Sequence, residues 1–175
     1  MYFPKKELMA STPFPAGLKR AAVMIVLRSA DEFLLLKRNK APNAGLYAPI
    51  GGKIEPYERP IDTAIRETAE EAGVGLQKSD LSYAGVLTET SPAGYNWLCF
   101  IFKANIERIA PPHCDEGTLE WIPLEQISTT PMPPTDLQIY QLLLQGQHFA
   151  IDALYDDELR LLEMREEVSG QLLPC

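Results

Sequence analysis

An acidic cluster between residues 58 and 71 is the part of the sequence whose residue types and spacing could do chemistry. Glu67, Glu70 and Glu71 fall within two turns of a predicted helix, and Glu58 lies shortly before them. Carboxylates three or four positions apart on a helix destabilise it by roughly 0.2–0.5 kcal/mol per pair. A solvated surface is the ordinary explanation for an acidic helix face, so a function needs a second feature to support it.

That second feature is the pair Gly51-Gly52, which precedes the helix across a short loop and is followed by Lys53. Glycines let a backbone approach a ligand closely. Mg²⁺ is typically held by one or two carboxylates together with substrate phosphate oxygens. A bound cation would also remove the repulsion within the cluster and attract an anionic substrate. The cluster is therefore interpreted as a divalent-cation site.

The helix that carries the cluster is predicted from about Pro60 to Ala72. Proline suits the first helical position, and Gly73 suits the residue just past the end. The glutamates are expected on the side of the helix opposite to an apolar face. That face comprises Ile61, Ala64, Ile65, Thr68, Ala69 and Ala72. Such a face must pack against another element.

The elements around this helix alternate between strands and helices, which predicts one mixed α/β domain. Strands are expected at 21–28, 32–38, 81–90, 96–106 and the start of 117–127, the last leading into a short helix. A short strand broken by Pro49 and the glycine pair is expected at 46–54. A proline-rich loop, 129–136, leads into a helix at 136–146. Residues 148–167 are ambiguous, because alternation near Phe149 favours a strand whereas 157–167 would also suit a helix. We expect an irregular lead-in at 1–20, a single domain at 21–166 and a flexible tail at 167–175.

Composition narrows the class of protein. The formal net charge of −8 over 175 residues argues against a general nucleic-acid-binding or anionic-membrane surface. No apolar run approaches the roughly 18–20 residues that span a bilayer, so a cytoplasmic location is expected. Three cysteines far apart and two histidines provide no zinc cluster.

The acidic stretch resembles the Nudix box of the Nudix hydrolases, G-x5-E-x7-R-E-U-x-E-E-x-G-U, in which U is a bulky apolar residue. The positions that match are Gly52, Glu58, Arg66, Glu67, Glu70, Glu71, Gly73 and Val74. Thr68 departs from the first U, which a half-buried helix face tolerates. The resemblance implies an α/β/α sandwich with a mixed β-sheet, in which the box forms a loop and a helix.

The resemblance also implies that a nucleoside diphosphate linked to another group is hydrolysed with Mg²⁺ or Mn²⁺. By position, Glu70 and Glu71 would be metal ligands, and Glu67 would be a ligand or the general base. The Gly51 carbonyl would be a further ligand. Arg66 would take part in catalysis by orienting a glutamate through charge-assisted hydrogen bonds. Glu58 would support the start of the helix and the Arg66 side chain.

Other stretches are similar to the MutT-like branch, which cleaves nucleoside triphosphates, including oxidised purine nucleotides, to monophosphate and pyrophosphate. In "DEGTLEWIPLEQI", Glu116 would reach the metal or be a solvated loop residue. In "PPTD", Asp136 would lie near the purine, be the N-cap of the following helix, or both. Arg38 and Lys53 are candidates for phosphate contact. Tyr47 would stack on the base or belong to the core.

The leading hypothesis is therefore a Mg²⁺-dependent pyrophosphohydrolase of purine nucleoside triphosphates, with a nucleotide as its partner and a homodimer left open. Two rivals are hydrolysis of ADP-ribose or another nucleotide derivative, and a Nudix-like domain that senses a nucleotide without cleaving it. A sensing domain would be expected to lose box carboxylates, and this chain keeps all four. Ala48 replaces an asparagine, and Thr135-Asp136 replaces the paired aspartates, of oxidised-purine enzymes of the animal type. Strict specificity for oxidised guanine is therefore not expected.

Overall fold

The computed structural model describes residues 17–41 and 43–175. Within them, one mixed sheet contains all ten strands. The strands are β1 (Arg20–Ser29), β2 (Glu32–Arg38), β3 (Tyr47–Ala48), β4 (Ile50–Lys53), β5 (Ser82–Thr90), β6 (Trp97–Asn105), β7 (Gly117–Pro123), β8 (Phe149–Tyr155), β9 (Leu161–Glu166) and β10 (Gln171–Leu172). The helices are α1 (Pro60–Ala72) and α2 (Pro134–Leu144), with short 3₁₀ helices at Lys78–Asp80 and Leu124–Thr129.

The sheet runs in the order β10-β9-β8-β5-β6-β1-β2-β3, with β4 paired to β1 and β7 paired to β2. The pairs β1–β6 and β5–β8 are parallel, and the other pairs are antiparallel. The long strand β1 pairs with β4 over its first half and with β2 at its end. This arrangement fixes the Gly51-Gly52 backbone beside Val23 and Met24.

Alternate residues of the central strands enter cores on opposite faces of the sheet. Val23, Ile25 and Leu27 of β1 pack in the cluster that contains Ala64 of α1. Val26 instead packs with Tyr140 of α2. Because successive side chains point to opposite faces and both faces are covered, such strands are nearly continuous apolar runs. The predicted α/β/α sandwich is confirmed.

Most predicted elements form with close to the expected bounds, and α1 spans 60–72 as predicted. Two expectations change. The ambiguous region 148–167 forms the strands β8 and β9, so the helical alternative for 157–167 is wrong. The helix expected at 136–146 begins at Pro134, which makes Asp136 its third residue.

The predicted tail at 167–175 contains a turn and the short strand β10, which pairs with β9. The turn is held by Glu166, whose carboxylate accepts hydrogen bonds from the Ser169 hydroxyl (2.6 Å) and from the backbone amides of Ala150 and Val168. Most of the lead-in predicted at 1–20 lies outside the described residues. Neither helix in the described part of the chain is long and apolar enough to cross a membrane.

Tyr140 provides a test of the core. It is fully buried against Phe33, and its hydroxyl has no hydrogen-bond partner among the residues that the structure describes. An unpaired buried polar group costs about 1–3 kcal/mol. We therefore expect Tyr140→Phe to raise the free energy of unfolding by about 1 kcal/mol in a urea or thermal melt.

Tyr47→Phe is the matched control for this prediction. The Tyr47 hydroxyl donates to Glu120 at 2.8 Å, so loss of that hydroxyl should lower stability slightly. A clear loss of stability in Tyr140→Phe would contradict the expectation.

Candidate active site

A cleft of about 820 Å³ gathers most of the residues singled out from the sequence. Its volume lies within the range of small-molecule sites, roughly 300–1,000 Å³. The glycine pair Gly51-Gly52 lines it. Its polar and aromatic lining residues include Arg38, Lys53, Glu67, Glu71, Glu89, Tyr95, Trp97, Glu116, Asp136 and Tyr155. Its wall therefore combines a group of carboxylates with aromatic rings.

The glycine pair allows α1 to lie close to the sheet. A Cβ added to Gly51, whose φ is 153°, would overlap the Val23 carbonyl oxygen across the β1–β4 pair. A Cβ added to Gly52 would overlap the Glu67 carboxylate. Gly52 thus leaves the space into which the Glu67 side chain extends.

We expect Gly52→Ala to displace Glu67 and to lower kcat/KM by about a hundredfold, the cost typical of a 1 Å misplacement. Gly75→Ala is the matched control, because a Cβ there would meet no atom within 4 Å. Steady-state kinetics beside a melting curve would check both variants. Unchanged turnover in folded Gly52→Ala would show that the position of Glu67 is unimportant.

Glu71 lies on the buried side of α1 with only 8% of its surface exposed. Its carboxylate accepts a hydrogen bond from the Gly51 amide at 3.1 Å. Burial raises the pKa of Glu71 to about 7, and the nearby charges of Glu116 and Glu67 add to the rise. An acid in these surroundings would be stabilised in its ionised form by a cation beside it.

Arg66 connects three of the acidic residues of the cluster. Its guanidinium donates to both oxygens of Glu58 (3.1 and 3.0 Å), to Glu67 (2.6 Å) and to Glu70 (3.2 Å). It also donates to the Lys53 carbonyl at 3.3 Å. Glu58 therefore supports Arg66 as the resemblance implied. Burial raises the pKa of Glu67, although the hydrogen bond from Arg66 opposes that rise.

The structure corrects the expected division of α1 into an apolar and an acidic side. Glu67 and Glu71 lie on the buried side together with the fully buried Thr68, whereas Ala69 is exposed. The glutamates can lie there because they face the glycine pair of β4 rather than bulky side chains. Glu70 differs, since 59% of its side chain is exposed beside Arg66.

The residues in and near the cleft offer an oxygen donor set, which suits Mg²⁺. Glu67, Glu71, Glu116 and the Gly51 carbonyl could hold such an ion. In residues 17–41 and 43–175, however, no three acidic, histidine or cysteine side chains already converge as a metal cluster. Arg66 donates hydrogen bonds to Glu67 and Glu70. Glu70 does not line the cleft, and it would reach the cleft only by breaking its bond to Arg66.

The candidate phosphate-binding residues Arg38 and Lys53 both line the cleft. The Arg38 guanidinium, at the end of β2, lies 3.5 Å from the Glu116 carboxylate, which directly precedes β7. Tyr47 does not line the cleft. Its ring packs in the core beside α2 and under the Lys37 ammonium, so the structure favours the core alternative over base stacking.

Asp136 lies in the cleft wall with 6% of its surface exposed. It does not cap α2, because Pro133 occupies the N-cap position and no side-chain capping bond forms. Burial raises the pKa of Asp136 to about 8, and the charge of Glu89 adds to the rise, while Thr135 and Arg38 oppose it. This rise favours the neutral carboxyl form of Asp136, which can donate a hydrogen bond.

Sequence reasoning missed Glu89, Tyr95, Trp97 and Tyr155. Glu89 belongs to β5 and accepts a hydrogen bond from the Tyr155 hydroxyl of β8 at 3.0 Å. An acidic residue in an otherwise uncharged strand was the available signal for Glu89. Nothing local indicated Tyr155, because 66 residues separate the two partners.

Comparison with known proteins places this geometry in context. The family model described as the NUDIX domain matches residues 17–143. The uncharacterized Nudix hydrolase YvcI of Bacillus subtilis (strain 168) is 29% identical over 146 residues, which are 80% of this chain and 89% of YvcI. The oxidized purine nucleoside triphosphate hydrolase of Mus musculus is 25% identical over 144 residues, which are 82% of this chain and 91% of that enzyme.

Solved structures share the fold, and two of them are compared with this chain. The MutT protein of Bacillus halodurans superposes with a TM-score of 0.74 at 24% identity, covering 85% of this chain and 98% of that one. The NUDIX domain of Shewanella oneidensis NrtR, complexed with ADP ribose, superposes with a TM-score of 0.64 at 21% identity. That second match covers 74% of this chain and 88% of the NrtR domain.

Proposed function

Because the chain belongs to the NUDIX domain family, we propose that it is a Mg²⁺-dependent pyrophosphohydrolase of purine nucleoside triphosphates. The products would be a nucleoside monophosphate and pyrophosphate. The observation that carries this proposal is that one cleft brings Glu67 and Glu71 together with the buried Asp136 and several aromatic rings. A polyphosphate and a base could therefore be bound in the same cleft.

The carboxylates have separate roles in this proposal. Glu71, Glu116 and the Gly51 carbonyl would hold the cation. Glu70, which is hydrogen-bonded to Arg66, would be a further ligand if that bond were released. Bound there, Mg²⁺ or Mn²⁺ would polarise phosphoryl oxygens and neutralise charge on the leaving group. Glu67 accepts the proton of the attacking water or serves as a ligand itself. Arg66 holds Glu67 in place through the 2.6 Å hydrogen bond.

The substrate is held by groups on other elements. Arg38 and Lys53 extend from β2 and β4 into the cleft, where their positive charges would contact phosphate oxygens. Asp136 would hydrogen-bond the edge of the base. The chain carries a net charge of −8, so these cations and the bound metal would have to attract the anionic substrate locally.

Products from a nucleotide panel with Mg²⁺ would test the proposal. The panel contains ATP, GTP, the triphosphate of an oxidised guanine nucleoside, CTP, UTP and ADP-ribose. We expect pyrophosphate release from purine triphosphates and only a modest preference for the oxidised base. ADP-ribose belongs in the panel because the similar NrtR domain is complexed with it. Faster cleavage of ADP-ribose would favour that rival, and binding without turnover would favour a sensing domain.

We expect Asp136→Ala to lower kcat/KM for purine triphosphates about tenfold to a hundredfold more than for pyrimidine triphosphates. An unpaired buried group costs roughly 1–3 kcal/mol, which corresponds to that discrimination. Steady-state kinetics across the panel would measure it. Unchanged purine preference in a folded Asp136→Ala variant would refute base recognition by this residue.

Asp136→Asn is the control for charge. The pKa of Asp136 is about 8 in the folded protein and about 4 in the unfolded chain. The native state therefore binds the extra proton between these values, so stability falls as pH rises from about 4 to 8. Asp136→Asn should remove that component of the slope, which melting curves at several pH values would show.

A further inference from the structure

Glu89 is an acidic residue in the interior of the cleft wall. It lies on β5, lines the cleft and exposes only 6% of its surface. Burying a carboxylate is costly unless hydrogen bonds or opposite charges compensate. Nothing in the proposed phosphate chemistry uses this side chain, so its position calls for a separate explanation.

Two tyrosines hold the Glu89 carboxylate, and Lys19 holds its backbone. The Tyr155 hydroxyl donates to its Oε1 at 3.0 Å, and a hydrogen bond from Tyr95 also stabilises the carboxylate. The rings of Tyr95 and Tyr155 pack edge to face, with centroids 6.0 Å apart. The Lys19 ammonium binds the Glu89 carbonyl at 2.8 Å and the Thr90 hydroxyl at 2.6 Å. The carboxylate is therefore fixed rather than free to turn away.

The Glu89 carboxylate can accept further hydrogen bonds from a ligand. An ionised carboxylate accepts about four hydrogen bonds, and the two tyrosines use two of them. Burial raises the pKa of Glu89, but both tyrosine hydrogen bonds oppose that rise and favour the charged form. Glu89 and Asp136 line the same cleft, and the charge of Glu89 adds to the rise that burial causes in the pKa of Asp136. The tyrosine hydroxyls donate to Glu89, which makes it the acceptor of the pair. Two carboxyl groups in one buried site favour a proton on one of them, so Asp136 is the candidate donor.

Resting on the proposed function, we propose that Glu89 and Asp136 together make the cleft selective for guanine. The Glu89 carboxylate would accept hydrogen bonds from N1–H and from the 2-amino group of guanine, and the Asp136 carboxyl would donate one to O6. Hypoxanthine lacks the 2-amino donor. Adenine has an acceptor at N1 and a donor at C6, which reverses the pattern. Guanine is the base whose pairing edge satisfies both acids.

A merely structural role for Glu89 makes a different prediction. If Glu89 only joins β5 to Tyr155 of β8, its loss should lower the stability of the fold and weaken the binding of every nucleotide by the same factor. A role in selectivity should change the ratio between guanine and other bases. Glu89→Gln is a suitable probe, because it keeps the size of the side chain and one acceptor oxygen but removes the charge and the second acceptor.

Calorimetric titration with GMP, IMP and AMP would test the proposal without requiring catalysis. We expect the wild-type protein to bind GMP about tenfold to a hundredfold more tightly than IMP and AMP, as hydrogen bonds to a charged group imply. Glu89→Gln should reduce the GMP-to-IMP ratio to within about threefold of unity. Glu163→Gln, which removes one charge at an exposed position of β9 that does not line the cleft, should keep the wild-type ratio.

Several results would overturn the proposal. These are equal wild-type binding of the three monophosphates, tighter binding of AMP, no measurable binding, or a GMP-to-IMP ratio unchanged in Glu89→Gln. Uniform weakening of all three ligands in Glu89→Gln would also overturn it in favour of the structural role. Failure of the proposed function shows separately, as an absence of pyrophosphate release from any triphosphate while guanine selectivity in binding persists.

Discussion

Glu71→Gln is expected to lower kcat/KM by at least about a hundredfold, because even residues that only support metal ligands typically cost 10–100-fold when mutated. Glu71 is buried, points into the cleft and shares it with Glu67 and Glu116. Glutamine preserves the size of the side chain and can still accept the hydrogen bond from the Gly51 amide. The loss would therefore follow from the missing charge, with no change in packing.

The activity of Glu70→Gln is expected to fall severely as well, although Glu70 does not line the cleft in the structure. Glu70 pairs with Arg66 and would have to leave it to reach a cation. Activity measured across a Mg²⁺ titration would compare both variants with Glu107→Gln, which removes an exposed charge that does not line the cleft. Near wild-type turnover in either variant would exclude that residue as a metal ligand.

The stability of Glu71→Gln provides an independent check. The pKa of Glu71 is about 7 because burial disfavours its charged form. Above that pH the wild-type protein must carry this buried charge when no cation is present, whereas the variant does not. Melting curves at pH 8 in metal-free buffer should therefore show the variant to be at least as stable as the wild type.

Glu67→Gln is expected to lower kcat by about 10²–10⁴-fold with a smaller effect on KM, which is the usual cost of losing a general base. The structure holds the Glu67 carboxylate in a defined position, as a general base requires. The Glu67 carboxylate lies in the space left by Gly52, and Arg66 holds it at 2.6 Å. Turnover measured at saturating substrate across a Mg²⁺ titration would separate a base from a ligand.

A lost ligand would appear as a raised requirement for Mg²⁺. If excess Mg²⁺ fully restored the turnover of Glu67→Gln, the base role would be refuted and Glu67 would be assigned as a ligand. Arg66→Lys would complement the test, because lysine keeps the positive charge but cannot bind Glu58 through two parallel hydrogen bonds. Its turnover should fall because Glu67 is held less firmly.

The sequence by itself determined the features of this protein that depend on neighbouring residues. Pro60 and Gly73 marked the ends of α1, and the structure places that helix at 60–72. The spacing of the glutamates and Arg66 identified the cluster, because a helix brings residues three or four positions apart together. Apolar runs indicated the central strands. These signals are local, so they can be read without knowledge of the partners.

Only the tertiary structure decided which side chains face the cleft. Glu71 is buried because α1 packs over the glycines of β4. Helical periodicity alone placed Glu71 on the side of α1 opposite to the apolar face, which is wrong. Tyr47 faces the core, whereas Tyr155 reaches Glu89 across 66 residues of sequence. The raised pKa of Asp136 likewise depends on burial beside Glu89. Burial, long-range pairing and electrostatic coupling arise when distant strands meet, and no local pattern encodes them.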